Sequence, residues 1–301
     1  MRATHTRLDA ARWHWQHGPI DIVAQADGEP AAVAAAHEAA WARFQAILTE
    51  LVAELPLLRQ PVQTGGAIAN GGLQGPIAQR MWAACAPFAP DFITPMAAVA
   101  GSVAQELIAH YQRPGVLRAW LNNGGDIALH LEPDERLRTG VVSDPENYLF
   151  GSTSHKSMAG QFDISAADPV RGVATSGWPG RSLSLGIADS VTVLAATAAQ
   201  ADAAATVIAN AVNVDHPAIR RLPANVVRDD SDLGERLVTV EVPVLPPALV
   251  REALARGAAQ ARALQQRGLI WAAMLVCQNA SEAVQPRAAQ GADPEPVRLA
   301  A

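Results

Sequence analysis

The sequence predicts an α+β fold with helices packed on a mostly antiparallel sheet, and three observations carry that expectation. Half of the 301 residues are hydrophobic and 17% are charged, which is enough apolar material to offset the entropy of ordering a large core. Short runs with period-two alternation are mixed with longer runs at helical spacing, without a clean βαβ alternation. Twenty-two glycines and 21 prolines punctuate those runs without a fixed repeat, which excludes a collagen or solenoid pattern.

The elements follow in order. Ile20 to Ala24 alternates apolar and polar residues ahead of Asp27-Gly28 and reads as an edge ribbon. Residues 30–55 read as a helix opened by Pro30, with Ala34, Ala35, His37, Trp41, Phe44, Ile47, Leu48 and Leu51 near helical spacing. PVQTGGAIANGGLQG (61–75) is a glycine-rich loop. A short helix runs from Pro76 to Ala86, and another from Pro95 to about Gln112. VLRAWL (116–121) and DIALHL (126–131) are two strands around Asn122-Asn123-Gly124-Gly125. QFDIS (161–165) and GVATSG (172–177) are two more, with Asp168-Pro169 between them. The β-branched run 182–195 reads as one long strand, and Thr197 to Ala211 as a helix. RLVTVEVPV (236–244) alternates as a strand. Pro246-Pro247 opens a helix to Gln266, Gly268 ends it, and LIWAAMLVC (269–277) is a buried strand. Residues 1–282 are expected to form one domain, built of two related motifs at about 1–130 and 131–282, with 283–301 a frayed tail.

Composition excludes several functions. The net charge is −6 and no Lys/Arg stripe exists, so nucleic-acid binding is not expected. The longest clean apolar run, Leu269 to Cys277, is far too short to span a membrane. The first residues, MRATHTRLDAARWHWQHG, hold no apolar leader, and the expected location is the cytoplasm. Cys85 and Cys277 sit in apolar contexts and read as buried thiols. The chain carries no GxxxxGK[ST], HExxH, CxxC or GxSxG pattern. His14 and His17 fall in a polar arm and His37 and His110 in helices, while His155 sits beside Lys156 in a Ser/Gly-rich loop.

Three segments carry chemical information. In PMAAVAGSVA (95–104), Ala97, Ala98, Ala100 and Gly101 leave a helical turn almost bare, so either a second helix or a ligand approaches the main chain there. In NNGGDIAL (122–129), an Asn-Gly turn accounts for Asn123-Gly124 but not for Gly125 and then Asp126, an acid at the mouth of an apolar strand. Beyond them, Thr175-Ser176-Gly177 ends a strand with hydroxyls, and Asp202 and Thr206 lie four apart on one helix face. Such oxygen donors suit a hard cation such as Mg²⁺, although a helix-surface acid needs no cation.

Taken together, these segments resemble the ApbE superfamily of FAD:protein FMN transferases. The family order Asn-x-Gly-Gly-Asp, Thr-Ser-Gly, Ala-Asp-Ala-x-Ala-Thr is matched by Asn122 to Asp126, Thr175 to Gly177, and Ala201 to Thr206. The chain is most similar to an uncharacterised cytosolic branch, through residues 95–101, 123–127 and 184–193. The resemblance implies a flavin-nucleotide cleft with Mg²⁺. Asp202 and Thr206 would be the metal ligands. Ala100, Gly101, Asn123, Gly124, Gly125, Asp126, Thr175, Ser176 and Gly177 would line FAD, FMN or another phosphorylated ligand. The transferases follow Thr-Ser-Gly with His-Ile-x-Asp-Pro, whereas this chain reads Arg181-Ser182-Leu183-Ser184-Leu185-Gly186, without the histidine. The reading is therefore Mg²⁺-dependent phosphoryl or nucleotidyl transfer without the usual catalytic histidine. The alternatives are a non-catalytic flavin or ligand binder, and an accessory subunit in sulfur or one-carbon metabolism. The small-residue helix faces suggest a homodimer.

Overall fold

The computed structural model describes residues 2–63, 69–142, 158–180, 182–286 and 298–299. The strands are β1 (Thr4–Arg7), β2 (Arg12–His17), β3 (Ile20–Gly28), β4 (Val116–Asn123), β5 (Asp126–Leu131), β6 (Arg136–Val142), β7 (Met158–Ser165), β8 (Gly172–Ser176), β9 (Ser190–Ala195), β10 (Arg220–Pro223), β11 (Leu237–Glu241), β12 (Ala272–Cys277) and β13 (Ala280–Val284). The longer helices are α1 (Pro30–Ala53), α2 (Pro76–Cys85), α3 (Val99–Ile108), α4 (Ala198–Ala211) and α5 (Pro247–Gln266). The fold is α+β, and β1 to β5, β5 with β8, β9 with β12, β12 with β13, and β10 with β11 pair antiparallel.

Two compact units share the chain. The first comprises Met1–Arg136, Ser165–Ala174 and Ala195–Ala203; the second comprises Leu137–Ile164, Thr175–Leu194 and Ala204–Ala301. In the first, β1 to β5 pair in chain order, and β8 joins β5 through Ile127 opposite Val173. Strand β3 alternates buried and half-buried residues, as the period-two pattern requires. Helix α1 buries Ala36, Ala40, Phe44, Ile47 and Leu51, a single face at intervals of three and four. Trp15 and Trp41 pack beside Phe44, and the Tyr111 hydroxyl lies 2.7 Å from His37 Nδ1.

In the second unit, β12 lies between β9 and β13, with Val276 opposite Ser190 and Cys277 opposite Ala280. Helix α5 presents Val250, Ala253, Leu254, Gly257, Ala258, Ala261 and Leu264 inward. Gly257 has to be small, because an added Cβ would lie 2.8 Å from Leu275 Cδ2 and closer still to Val212. β10 and β11 form a separate ribbon, and β7 lies between β6 and a two-residue strand, Arg298–Leu299.

Several expectations change in detail. The run 182–195 is a strand only over Ser190–Ala195. Its first half is drawn to the end of α4, where Asn210 Oδ1 accepts the Leu185 N–H at 2.9 Å and the Ser184 hydroxyl at 3.1 Å. The helix expected from Pro95 is a 3₁₀ turn over Pro95–Ala98 followed by α3 and a second 3₁₀ turn over Ala109–Tyr111. The polar N-terminal arm forms strands β1 and β2, which extend the ribbon of β3. Residues 280–284 are strand β13 rather than frayed tail at their end. His155, Lys156, Arg181 and part of the glycine-rich loop lie outside the described residues.

Candidate functional site

The bare turn of PMAAVAG is explained first by close packing. Gly101, at the third position of α3, faces the first turn of α4. An added Cβ would lie 2.7 Å from the Ala198 carbonyl carbon, 2.9 Å from Asp202 Cβ, and closer still to the Ala198 oxygen. With the two backbones in contact, Asp202 Oδ2 accepts the Gly101 N–H at 2.9 Å. The Ala100 N–H is a second donor to the same carboxylate. Helix α3 has no side-chain cap of its own, because Ala98 precedes it. Asp202 supplies one from another helix, an anion placed where the unpaired N–H groups and the helix dipole favour it.

The Asn-Gly-Gly-Asp turn belongs to the same unit. Gly124 and Gly125 both take positive φ, 67° and 115°, which explains the paired glycines that a two-residue turn of this kind wants. Asn122 Oδ1 accepts the Gly125 N–H at 2.7 Å. Gly125 has open space where a Cβ would stand, and Gly124 is exposed. Asn123 is 4% exposed; its Nδ2 donates to the Ala100 carbonyl at 3.1 Å and its Oδ1 accepts the Asp21 N–H at 3.4 Å. The turn is thereby fastened to the start of α3.

Asp126 brings a second carboxylate. It is 8% exposed, at the first position of β5. The Asp202 carboxyl is held well above the usual carboxylate range, first by desolvation and then by repulsion from Asp126; the N–H groups of Gly101 and Ala100 offset part of that rise. The groups that act on Asp202 are thus another acid and two main-chain donors, with no cationic side chain among them.

The structure therefore brings Ala100, Gly101, Asn123, Gly124, Gly125, Asp126 and Asp202 together in the first unit. Thr206 follows Asp202 one turn later on α4, half-buried. Thr175, Ser176 and Gly177 are at the end of β8 and belong to the second unit. There, Thr175 Oγ1 lies 2.9 Å from Thr192 Oγ1, and Gly177 is pressed against Ala188 and Asp189.

Sequence reasoning missed some polar groups. Ser102, beside Gly101, is fully buried, and its hydroxyl makes no hydrogen bond among the described residues. An orphan hydroxyl leaves no sequence signal. A groove of about 530 Å³ elsewhere in the first unit is lined by Arg43, Glu50, Glu54, Gln74, Gly75 and Glu106, none of them a predicted site residue. Its acids are engaged by the protein: Glu50 and Glu106 by Arg43, and Glu54 by the Gln74 and Gly75 N–H groups. Among the described residues, no group of three or more His, Cys, Asp or Glu side chains is placed to hold a metal ion. No helix among them is long and apolar enough to cross a membrane.

Comparison with known proteins identifies relatives and a family. The chain is 39% identical over 141 residues to a UPF0280 protein of Methanothermobacter thermautotrophicus, which covers 46% of this chain and 50% of that protein. It is 38% identical over 167 residues to a UPF0280 protein of Methanopyrus kandleri, covering 54% and 61%. A third, from Methanothrix thermoacetophila, is 38% identical over 141 residues, covering 46% and 54%. The chain thus spans between half and two thirds of the length of these curated relatives. A family model described as AbpE bacteria, an ApbE-related family, matches residues 2–284, and the chain belongs to that family.

Proposed function

We propose that the chain binds a nucleotide or another phosphorylated ligand together with a divalent cation at the turn Asn123 to Asp126 and the carboxylate of Asp202. One observation carries this reading: two acids share a desolvated spot, and repulsion between them raises the Asp202 pKa with no cationic side chain opposing it. Capping α3 explains one carboxylate, but a cap is weakened by a second acid beside it. A cation relieves that repulsion.

The donor set fits Mg²⁺, because all the candidates are oxygens: the carboxylates of Asp126 and Asp202 and the hydroxyl of Thr206. Two carboxylates form only part of a shell, as is usual for Mg²⁺, which keeps waters and phosphate oxygens as its remaining ligands. When bound, Mg²⁺ supplies positive charge that neutralises a pyrophosphate. This chain's own residues do the rest. Gly124 and Gly125 leave the turn without side chains, so phosphate or ring atoms reach the main chain. Asn123 holds the Ala100 carbonyl and so fixes the turn against α3. The Ala100 and Gly101 N–H groups orient the Asp202 carboxylate.

The activity that follows is phosphoryl or nucleotidyl transfer from FAD or a related nucleotide. A second reading, binding without turnover, is favoured by the segment after Thr175-Ser176-Gly177, where residues 182–189 contain no histidine. Incubation with FAD and Mg²⁺ separates the two. Release of AMP supports transfer, whereas a bound yellow cofactor without AMP supports binding alone. Mn²⁺ titration followed by electron paramagnetic resonance tests the site beneath both. Asp202→Asn and Asp126→Asn should each weaken Mn²⁺ by tenfold or more, and unchanged affinity in both variants would overturn the assignment.

A further inference from the structure

We infer that Gln105 is a positioning residue for the candidate site, holding the first turn of α4 where Asp202 reaches Gly101 beside Asp126; this rests on the cation reading of Asp202 above. A helix leaves its first N–H groups without partners inside the helix, and they must be met from elsewhere. At the start of α4, Thr197 Oγ1 accepts the Gln200 N–H at 3.3 Å, and the Thr197 carbonyl accepts the Ala201 N–H at 3.0 Å. The Ala199 N–H is met from another helix, where Gln105 Oε1 of α3 accepts it at 3.2 Å. In return, Asp202 of α4 caps α3 at Gly101. The two helices cap each other, and Gly101, Gln105, Ala199 and Asp202 all belong to the first unit.

The spacing makes the second bond matter for the first. Gln105 follows Gly101 by four residues on α3, and Asp202 follows Ala199 by three on α4, so each pair shares a helix face. The bonds Gly101 to Asp202 and Gln105 to Ala199 are two rungs between the helices, roughly 4.5–6 Å apart at a rise of about 1.5 Å per residue. One rung fixes a point and leaves α4 free to roll or slide about it. Two rungs a turn apart remove both motions, and Asp202 sits at the end that would move.

Close packing alone does not do this. Gly101 admits no Cβ against Ala198, and a Cβ at Gly172, the first residue of β8, would collide with the Thr197 carbonyl and the Ala198 nitrogen. Gly172 is opposite Ala128, two residues along β5 from Asp126. The start of α4 is therefore seated between the helix that carries the donors to Asp202 and a strand paired to that of Asp126. Bare glycine surfaces set how closely α4 approaches, but without side chains they do little to fix its rotation. A directional bond does so, and Gln105 supplies it. Its amide oxygen is a neutral acceptor, so the rung adds no third negative charge beside Asp126 and Asp202.

The test uses the full chain with Mn²⁺ as the probe, followed by electron paramagnetic resonance, beside equilibrium urea unfolding. Gln105→Met keeps the length and bulk of the side chain and removes the acceptor, and it should weaken Mn²⁺ by about three- to tenfold. Gln105→Glu keeps an acceptor in place and should bind Mn²⁺ at least as tightly as the parent. Glu106→Gln is the control for lost stability alone. It is the next residue of α3, its carboxylate takes Arg43 and Arg80, and its Mn²⁺ affinity should stay within about twofold of the parent. Gln105→Asn shortens the side chain by one methylene and gives the same reading if the methionine variant does not fold. A fall of less than about threefold in the Gln105→Met and Gln105→Asn variants, or an equal fall in Glu106→Gln, would overturn the inference. If Asp202→Asn still loses Mn²⁺ in that case, the cation reading stands. A parent chain that binds no Mn²⁺ would overturn both.

Discussion

Gly101→Ala is the sharpest test of how the candidate site is held together. The added methyl would lie 2.7 Å from the Ala198 carbonyl carbon and closer still to its oxygen, and ordinary contact begins near 3.4 Å, so α3 must retreat from α4 by at least about 0.7 Å. The obstacle is backbone and cannot rotate away. A retreat along the Gly101 N–H to Asp202 direction stretches that bond from 2.9 Å to about 3.6 Å, beyond hydrogen-bonding range. Overpacking costs about 1–3 kcal/mol and losing a donor to a carboxylate about 1.5–3 kcal/mol, while alanine recovers about 1 kcal/mol of helix propensity. The net expectation is a loss of about 1.5–5 kcal/mol, read by equilibrium urea unfolding, with Mn²⁺ affinity falling in parallel. Gly125→Ala is the control. Its methyl meets nothing within 4 Å, and only the φ of 115° is penalised, at about 1–2 kcal/mol. A Gly101→Ala variant that loses less than about 1 kcal/mol would show that the two backbones are not pressed together as described.

Further outcomes follow from the same geometry. Asp202→Asn should be as stable as the parent or more so at pH 7 without added metal, because it removes a charge that burial and Asp126 disfavour. The sign is set by the raised folded pKa: the parent loses stability as pH rises from about 3.8 through that higher value, and the asparagine variant lacks this loss in a pH series of melting temperatures. Adding Mg²⁺ should raise the melting temperature of the parent and not of Asp202→Asn. His37 has its pKa lowered from 6.5 to about 4, chiefly by burial and then by Arg7, so its neutral form belongs to the fold. Stability should therefore decline as pH falls from 6.5 toward 4, by at most about 3 kcal/mol, and His37→Gln should flatten that decline in urea titrations. Glu106 accepts Arg43 Nε at 2.8 Å and Arg80 Nη2 at 2.9 Å with its side chain 15% exposed, so Glu106→Gln should cost about 1–3 kcal/mol by the same assay.

What the sequence discloses depends on whether an element is built by apolar periodicity. Helices α1 and α5 and strands β4 and β5 each carry an inward apolar face and a Gly or Pro boundary, and all are legible; α4, β9 and β12 are legible as apolar runs, but β9 has no such boundary, so its start is read eight residues early, at 182. Strand β1 is not, because all four of its residues are exposed and it is held by main-chain pairing with β2 and by ring contacts of His5 with Trp13 and Trp41, none of which leaves an apolar period. The site divides along the same line. The turn at Asn123 to Asp126 is readable because paired glycines in positive φ leave a local signature. The capping of α3 by Asp202 is not, since it joins a carboxylate to a main-chain N–H 101 positions away. Likewise, Asp189 reaches Gln278 across 89 positions through a backbone donor, and no residue type at 278 announces it.

The chain follows one path twice: a strand leads into a helix, and a later helix leads into a two-stranded hairpin whose first strand pairs with the opening strand. The first path is β3 to α1, then α3 to β4 and β5; the second is β9 to α4, then α5 to β12 and β13. The two hairpin turns differ chemically. Gln278 at 53° stands where the first has Gly124 at 67°, so both take a left-handed conformation. Only the first follows it with a second glycine and then an acid. In the second, the carboxylate of Asp189 accepts the main-chain N–H of Gln278, and a protein group occupies that donor. In the first, Asn122 takes the Gly125 N–H, Gly124 stays exposed, and Asp126 is set beside Asp202. Equal backbone paths thus end in one turn bare of side chains with two acids close by, and one turn in which an internal carboxylate already engages the main chain. That contrast is why the ligand is assigned to the Asn123 to Asp126 turn. Grafting Gln-Asn onto positions 124 and 125 should abolish Mn²⁺ and FAD binding while the hairpin still forms.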